Sequence, residues 1–276
     1  MLASWVQGEP AQSIPLDDRG LQYGDGLFET IGASGGRVRF LGAHLARLAR
    51  GCAALAIAAP DETLLAREIA RAAALAPHVI VKVIVTRGRA IARGYAYTGT
   101  ETPTRIVAAW PWPEGPHAAR DPATIALAGG AAGPPLLAGV KHLNRLGQVL
   151  AREEARQRGL DEVILADRDG RIIGGAMTNL FLCRDGQLAT PPATHCAVVG
   201  VMRGQVLGAA ARLGLATGER HVTVQELGRA DAIWLTNVRV GLWPVGICEG
   251  QALAAHAWTQ PLRQAIEAEA REARLA

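Results

Sequence analysis

Features that mark several protein classes are missing from this 276-residue sequence. Its four cysteines form no Cys-x-x-Cys pair, which argues against a zinc knuckle or a thioredoxin-like redox site. No apolar run reaches the roughly 18 residues of a membrane span without a charge or a turn residue. The first residues lack a basic start followed by an apolar core, so we expect no signal peptide and a cytoplasmic protein with reduced thiols.

The signals of a nucleic-acid-binding protein and of a metal site are also weak. The 29 Lys and Arg residues exceed the 25 Asp and Glu residues by only four, and they are scattered rather than clustered. No run of basic residues is longer than two, and no known nucleic-acid module is present. The histidines have no metal-like spacing, and HExxH, GxSxG, GxGxxG and P-loop patterns are absent. We therefore expect no metal and an anionic small molecule as the partner, with nucleic-acid binding as an alternative that rests on charge alone.

What the sequence does contain is a globular balance of 49% hydrophobic and 20% charged residues, which excludes a disordered chain. Helical spacing of Leu45, Leu48, Cys52 and Leu55 predicts a helix over 43–58. Further helices are predicted from Asp61, over 144–158 and over 202–213. Strands are predicted at 3–7, 27–31, 37–41, 79–88, 105–110, 124–128, 162–166, 171–173, 179–183, 221–224 and 232–236.

A proline-rich segment interrupts this alternation of strands and helices. PWPEGPHAARDP, residues 111–122, contains four prolines and continues neither a sheet nor a helix. The pattern predicts an N-terminal α/β domain over 1–110, a linker over 111–122 and a C-terminal domain over 123–276. Because both halves mix strands and helices, we expect an α+β fold with two lobes.

Lysine is nearly absent, and this draws attention to the two that remain, Lys82 and Lys141. Lys82 lies inside a predicted strand, whereas Lys141 lies in the segment AGVKHLNRL, residues 138–146. A lysine can lose its proton and attack a carbonyl, which arginine cannot do. Lys141 is therefore a candidate nucleophile, although a compositional bias against lysine would also leave two by chance.

Two further features suit an anion but are individually unspecific. Arg47 lies on the predicted helix 43–58, and an arginine can bind a phosphate through two nitrogens. Gly200 comes just before the predicted helix at 202–213, where backbone N–H groups can bind an anion. A surface arginine and a simple turn are the competing interpretations.

Seven segments of the sequence, taken in their order along the chain, resemble one family. They are YGDGLFET, HLARL, VKVIVTRG with RGY, LAGVKHLNRL, TNLFL, GVMRG and LTN. In these segments and in their order the sequence is similar to the fold-type IV pyridoxal-phosphate enzymes, and the similarity extends over roughly residues 3–250. KHLNRL followed by QVLAR is most similar to the aminodeoxychorismate lyases of that family. The resemblance implies a two-domain fold like that of D-amino-acid aminotransferase, with the cofactor between the lobes, and a homodimer.

The resemblance also implies roles for individual residues. Lys141 corresponds to the lysine that binds pyridoxal 5′-phosphate covalently, and Arg47 to an arginine on its phosphate. Further phosphate contacts correspond to the backbone of Gly200, Val201 and Met202 and to Thr236 or Asn237. Asn179 corresponds to a position beside the cofactor ring. Arg93 and Tyr95 lie where lyases place residues that face the substrate.

One position departs from the family pattern. The family has a glutamate on the pyridine nitrogen five residues before the asparagine of TNLF, and this sequence has Gly174 there. A carboxylate at that place strengthens the cofactor as an electron sink, which transamination requires more than elimination does. The expected reaction is therefore conversion of 4-amino-4-deoxychorismate to 4-aminobenzoate and pyruvate, a step toward folate. The alternatives are a branched-chain or D-amino-acid aminotransferase and a cofactor-binding homologue with weakened catalysis.

Overall fold

The computed structural model describes residues 1–90, 94–116, 121–132 and 137–272. No helix within those ranges combines the length and the apolar composition that a bilayer crossing requires. The chain divides into two compact units. Unit 1 comprises Met1–Ala118 and Val140–Asn144, and unit 2 comprises Ala119–Gly139 and Arg145–Ala276. The linker over 111–122 stays a prediction, since residues 117–120 lie outside the described part of the chain.

Unit 1 is built on a sheet in which each described strand pairs antiparallel with its neighbours. Its strands run in the order β2-β1-β6-β5-β3-β4. Their bounds are β1 Ala3–Val6, β2 Glu9–Pro10, β3 Gly26–Ser34, β4 Arg37–Val38, β5 His78–Thr86 and β6 Thr104–Pro111. The helices are α1 Arg19–Tyr23, α2 Leu41–Ala54 and α3 Glu62–Ala73.

The two longer helices cover one face of this sheet. In β5 the side chains alternate, and the four valines Val79, Val81, Val83 and Val85 are fully buried while the residues between them are half-buried. Leu48 of α2 and Ile69 of α3 pack into the same core as these valines. The apolar residues that recur every second position in the strand and about every 3.6 positions in the helices therefore pack against each other in one core, as the sequence predicted.

Asp18 fixes the short helix α1 to the sheet. This side chain is fully buried and caps α1 by accepting from the Gly20 N–H at 2.8 Å. It also accepts from the hydroxyls of Thr86 at 3.0 Å and Thr104 at 2.7 Å. One carboxylate thus joins α1 to β5 and β6.

Unit 2 is built on a mixed sheet. Its strands run in the order β12-β11-β10-β13-β14-β7-β8-β9, and β15 pairs with β14. The strand bounds are β7 Ala123–Leu127, β8 Glu162–Ala166, β9 Ile172–Gly175, β10 Asn179–Arg184, β11 Gln187–Thr190, β12 Ala216–Glu219, β13 Ala232–Asn237, β14 Gly241–Cys248 and β15 Gln251–Ala252. The helices are α4 Leu146–Gln157, α5 Val201–Arg212, α6 Val224–Leu227 and α7 Thr259–Glu272.

The predicted strand at 221–224 is wrong. Thr223 instead caps α6, because its side chain meets the backbone of Glu226 while the Glu226 carboxylate accepts from the Thr223 N–H at 2.9 Å. This reciprocal capping box ends the extended segment after one isolated bridge between Arg171 and Thr223. The apolar alternation of Val222 and Val224 gave the strand signal, and the capping box overrides it.

We expect Asp18→Ala to lower the free energy of unfolding by roughly 2–4 kcal/mol, since it leaves buried donors without an acceptor. Urea denaturation followed by tryptophan fluorescence measures this. The matched control is Asp17→Ala, which removes a half-exposed carboxylate paired with exposed Arg89 and should change stability little. Equal losses in the two variants would contradict the anchoring role of Asp18.

Candidate functional site

The segment Val140–Asn144 pairs with the first residues of β3 in unit 1, on the edge opposite β5. The Phe28 N–H donates to the Lys141 carbonyl at 3.0 Å, and the Leu143 N–H donates to the Gly26 carbonyl at 2.9 Å. Leu27 and His142 form an antiparallel bridge between these bonds. The backbone on both sides of Lys141 is therefore fixed by the sheet, so a rigid element positions this lysine.

The Lys141 side chain lies over an aromatic ring. Its Nζ is 4.0 Å from the centre of the Phe28 ring, and the Nζ of Lys82 is 5.2 Å from the same centre. An ammonium over a ring face is attracted by the ring quadrupole. The two lysines of the chain thus share one ring, and Lys141 is the nearer and is partly buried.

Arg47 is held in a buried ionic cluster in the same unit. Its Nε donates to Glu29 Oε1 at 2.7 Å, and its Nη2 donates to Glu29 Oε2 at 2.5 Å. His44, one turn earlier on α2, lies with its Nδ1 2.7 Å from Glu29 Oε2. Glu29 is on the face of β3 that also carries Leu27 and Ile31, and this face packs against α2.

Burial and pairing set the charges of this cluster. Burial alone would raise the pKa of Glu29, but the hydrogen bonds and charges of Arg47 and His44 lower it to about 2. Burial lowers the pKa of His44 more than the hydrogen bond and negative charge of Glu29 raise it, and the positive charges of Arg47 and Lys141 add to the lowering. Glu29 is therefore ionised and His44 neutral near pH 7, so His44 Nδ1 carries the proton that Glu29 accepts.

Sequence analysis did not single out Glu29 or His44. Glu29 is a carboxylate at an inward-facing strand position, and His44 and Arg47 are three residues apart on one helix face. A charged residue at a core position of a strand, opposite two basic residues of a helix, is the signal that could have found them. Arg47 itself lies 8% exposed, at the edge of this cluster rather than on the open surface.

Three of the predicted residues come together in unit 2. Asn179 begins β10 and stands in register with Thr236 on β13. The Asn179 Nδ2 donates to the carbonyl of Val198 at 2.8 Å. Gly200 caps α5, and a Cβ on it would lie 2.1 Å from the Asn179 Oδ1. A side chain at position 200 would therefore require the Asn179 amide to move away from the start of α5.

The first turn of α5 has the properties of an anion site. Its cap, Gly200, makes no side-chain hydrogen bond, and the turn contains no acidic residue. Val201 and Met202 are buried in that turn, and Arg203 follows with its guanidinium buried. A helix N-terminus offers backbone N–H groups and a partial positive charge to an anion.

The remaining predicted residues of this unit lie around the same strands. The Thr236 hydroxyl donates to the Gly241 carbonyl at 2.7 Å. The Asn237 Nδ2 donates to the Met177 carbonyl at 3.2 Å, and its Oδ1 accepts from the N–H groups of Arg239 and Val240. Thr236 and Asn237 therefore order the β13–β14 turn and the chain just before Asn179.

Gly174 lies in β9 with a φ of +146°, which side chains rarely adopt. A Cβ there would approach the Thr178 carbonyl to 3.0 Å. Tyr95 is 85% exposed in unit 1, and its carbonyl accepts from the Arg19 Nη2 at 2.8 Å. Arg93 lies outside the described residues.

Each unit, taken by itself, carries groups that suit the cofactor that the motifs imply. Within unit 1 these are a backbone-fixed lysine and a paired arginine, and within unit 2 they are an acid-free helix start with a glycine cap. An amine that can form a covalent bond and donors for a phosphate are the groups that pyridoxal 5′-phosphate requires. In the described ranges, no three or more His, Cys, Asp or Glu residues are grouped to hold a metal ion.

The Glu29 cluster predicts an acid-sensitive unit. The pKa of Glu29 is lowered below its unfolded value, so the stability it contributes is present above about pH 4.5 and is lost as the pH falls toward 2. We expect Glu29→Gln to remove this part of the pH dependence and to cost about 3–5 kcal/mol near pH 7, since Arg47 loses its buried partner. Urea denaturation of both proteins between pH 2 and 8 measures it. A parallel pH dependence in the variant would contradict the assignment.

Comparison with known proteins places this arrangement in a family. The sequence profile of class IV aminotransferases matches residues 26–248. An aminodeoxychorismate lyase of Vibrio harveyi is 33% identical over 245 residues, which cover 87% of this chain and 89% of the relative. A putative branched-chain-amino-acid aminotransferase of Methanocaldococcus jannaschii is 30% identical over 265 residues, covering 89% and 86%.

Solved structures agree. The 4-amino-4-deoxychorismate lyase of Pseudomonas aeruginosa is 39% identical with a TM-score of 0.88, covering 96% of this chain and 98% of that one. The branched-chain aminotransferase of Escherichia coli has a TM-score of 0.86 at 23% identity and so shows the fold alone. The predicted fold class is confirmed. Because enzymes of this family depend on pyridoxal 5′-phosphate, the predicted cofactor is confirmed as well. The chain belongs to the class IV aminotransferase family of fold-type IV enzymes.

Proposed function

We propose that this protein is a lyase that converts 4-amino-4-deoxychorismate to 4-aminobenzoate and pyruvate. The observation that carries the proposal is the placement of Lys141, held by backbone pairing to β3 with its Nζ 4.0 Å from the Phe28 ring centre. The two lyases named above, at 33% and 39% identity over most of their length, support the choice of reaction. The reaction is a step of folate biosynthesis, and we place it in the cytoplasm.

Lys141 has two tasks in this reaction. Its Nζ would hold the cofactor covalently, and as a free amine it would take the proton from C4 of the substrate. When bound, pyridoxal 5′-phosphate would supply an electron-accepting ring that stabilises the negative charge left by removal of a proton from the substrate. Loss of the C4 proton would be accompanied by breaking of the C–O bond on the neighbouring ring carbon, so the ring becomes aromatic and the electron pair leaves with enolpyruvate. Enolpyruvate then takes up one proton at its methylene carbon and becomes pyruvate. The fixed backbone of Lys141 keeps Nζ within a small volume for both tasks.

The phosphate of the cofactor needs several donors. We propose Arg47 and the backbone of Gly200, Val201 and Met202 for this role. The ion pair with Glu29 fixes the plane of the Arg47 guanidinium, which suits an arginine that must meet a phosphate in one orientation. Thr236 or Asn237 adds a further contact, and Asn179 lies beside the ring.

Tyr95 is proposed to face the substrate, together with Arg93. The backbone of the Tyr95 segment is fixed, because Arg19 is buried and donates to the carbonyls of Gly94, Tyr95 and Ala96. The Tyr95 ring meets the Tyr23 ring edge-on at 5.4 Å. A fixed backbone with an exposed aromatic side chain suits recognition of a ligand.

Gly174 favours the lyase over an aminotransferase. Transamination depends on a strong electron sink, which a carboxylate on the pyridine nitrogen provides, and Gly174 stands at the position of that carboxylate. Formation of an aromatic product drives the elimination and reduces this dependence.

We also propose that the protein is a homodimer. One face of α4 is apolar and exposed, with Leu146 71%, Val149 59% and Leu150 62% accessible. These residues are spaced at i, i+3 and i+4 and therefore form one stripe along the helix. A second copy of the chain, as the family resemblance implies, is the proposed cover for this stripe.

We expect Lys141→Ala to lower kcat by roughly 10²–10⁴-fold, since it removes the base and the covalent anchor. Pyruvate and 4-aminobenzoate formation from 4-amino-4-deoxychorismate, without any amino acceptor, is the measurement. Borohydride treatment of the wild-type protein should fix the cofactor on Lys141 alone. Lys82→Ala is the matched control because Lys82 shares the Phe28 ring, and it should retain activity.

Three results would contradict the proposal. A protein that takes up no pyridoxal 5′-phosphate would exclude this chemistry altogether. Normal cofactor uptake without pyruvate formation would indicate a catalytically weakened homologue. Turnover that requires an amino acceptor would indicate an aminotransferase.

We expect sedimentation velocity to show a dimer for the wild-type protein and a monomer for Leu146→Glu/Leu150→Glu, because two charges in the stripe cannot be buried against a copy of themselves. Glu62→Gln, a change at an exposed residue of α3 outside this stripe, is the control and should stay dimeric. A monomeric wild-type protein would contradict the dimer, and a dimeric double variant would exclude this face as its interface.

A further inference from the structure

Glu162 is a buried carboxylate that the proposed function does not use. It is the first residue of β8 and is fully buried. Its nearest cation is Arg152, whose Nη1 is 3.3 Å from Oε1, but whose own side chain is 37% exposed. Burial raises the pKa of Glu162 against the pull of its hydrogen bonds and of Arg152. A carboxylate retained at such a place has an energetic cost that its contacts must offset.

The contacts of Glu162 hold one short turn, residues 175–178. The Glu162 Oε2 accepts from the Met177 N–H at 3.0 Å and from the Thr178 hydroxyl at 3.1 Å. A Cβ on Gly175 would lie 2.1 Å from the Thr178 Oγ1 and 2.9 Å from the Glu162 Oε2. Glycine at 175 therefore lets the turn close on the carboxylate.

The same turn is held from a second strand. The Met177 carbonyl accepts from the Asn237 Nδ2 on β13 at 3.2 Å. Both peptide groups of Met177 are thus fixed, the N–H by Glu162 and the carbonyl by Asn237, although 45% of its side chain is exposed. A turn secured at both groups has little freedom to shift.

Asn179 follows this turn directly. Its Nδ2 donates to Val198 and its Oδ1 stands where a Cβ of Gly200 would be, so it is in contact with the start of α5. We propose that Glu162 is a positioning residue of the cofactor site: through Met177 and Thr178 it fixes Asn179 against the first turn of α5. This inference rests on the proposed function, since it takes α5 to receive the phosphate of the cofactor.

Glu162 acts through these neighbours and does not touch the cofactor. Its two oxygens already meet four donors, which are Met177 N, Thr178 Oγ1, Val163 N at 3.2 Å and Arg152 Nη1. A carboxylate has about four lone-pair sites, so these donors saturate it. Removal of the carboxylate therefore leaves the donors of the turn unsatisfied and lets Asn179 move.

The experiment measures the affinity of the apoprotein for pyridoxal 5′-phosphate by fluorescence titration and the visible circular dichroism of the bound cofactor. We expect Glu162→Ala to raise the Kd about tenfold or more and to weaken the dichroism, with wild-type far-ultraviolet dichroism. Glu162→Gln keeps one acceptor oxygen and should restore most of the affinity. Thr178→Val removes one donor at constant shape and should weaken binding in the same direction.

A double-mutant cycle tests the route of the effect. If Glu162 acts through Thr178, Glu162→Ala/Thr178→Val should bind less weakly than the sum of the two single changes predicts. Glu153→Gln, an exposed carboxylate on α4 that is paired with Arg156, is the matched control and should bind as the wild type does.

Wild-type affinity and dichroism in folded Glu162→Ala would overturn the inference, as would strictly additive effects in the cycle. If Glu162→Ala does not fold, Thr178→Val decides, and wild-type affinity in that variant would overturn it. The proposed function fails separately, in the wild-type protein, if no cofactor binds or no pyruvate forms.

Discussion

The requirement that a buried carboxylate be paired governs both parts of the chain that carry site residues. In unit 1, Glu29 is ionised in the core because Arg47 and His44 surround it. In unit 2, Glu162 is buried because the turn before Asn179 closes over it. In each case the partner of the carboxylate is a predicted site residue or the immediate neighbour of one. Hydrogen bonds to a buried carboxylate, ionic at Glu29 and neutral in the turn at Glu162, thus set the orientation of groups that the proposed reaction needs at fixed positions.

A second constraint is space, and it explains two of the glycines. Gly175 and Gly200 both stand where a Cβ would collide with a polar side chain, Thr178 in one case and Asn179 in the other. Neither glycine has a left-handed backbone, since Gly200 has a φ of −68° and the φ of Gly175 is not positive either. Their role is close approach, which brings a hydrogen-bonding side chain against the backbone. The start of α5 and the turn before β10 are therefore packed as one unit around Asn179.

The sequence predicts the periodic elements of this fold well, because their signal is local. The alternation of valines in β5 and the spacing of apolar residues in α2 and α3 can be read directly from the sequence. The predicted helix at 202–213 is confirmed as α5, Val201–Arg212. β14, by contrast, is absent from the prediction, since Pro244 and two glycines interrupt its pattern. It forms because β13 and β7 pair with it on either side, which is information from distant parts of the chain.

The residues of the candidate site also fall into those that a local sequence signal identifies and those that only the fold brings together. Lys141 stands out because lysine is rare in this chain, and the motifs identify the other predicted site residues. Neither the composition nor the motifs indicate the residues that hold these groups in place. Glu29 and His44 matter because β3 and α2 face each other, and Glu162 matters because β8 lies beside β9. These relations join residues 15 or more positions apart, for which a single sequence without a structure gives no pairing. Hydrogen bonds between such residues form only once the sheets exist.

The backbone at Gly174 gives a structural meaning to the departure from the glutamate that the family resemblance implies at this position. With a φ of +146° and the Thr178 carbonyl 3.0 Å from a would-be Cβ, this position accepts a side chain only if the backbone rearranges. The turn that would have to move is the one that Glu162 and Asn237 fix. The absence of a side chain at position 174 is thus built into the local fold and is not a simple truncation of a side chain. On the proposed function, such a site relies less on the cofactor as an electron sink and more on the aromaticity of the product, which suits elimination.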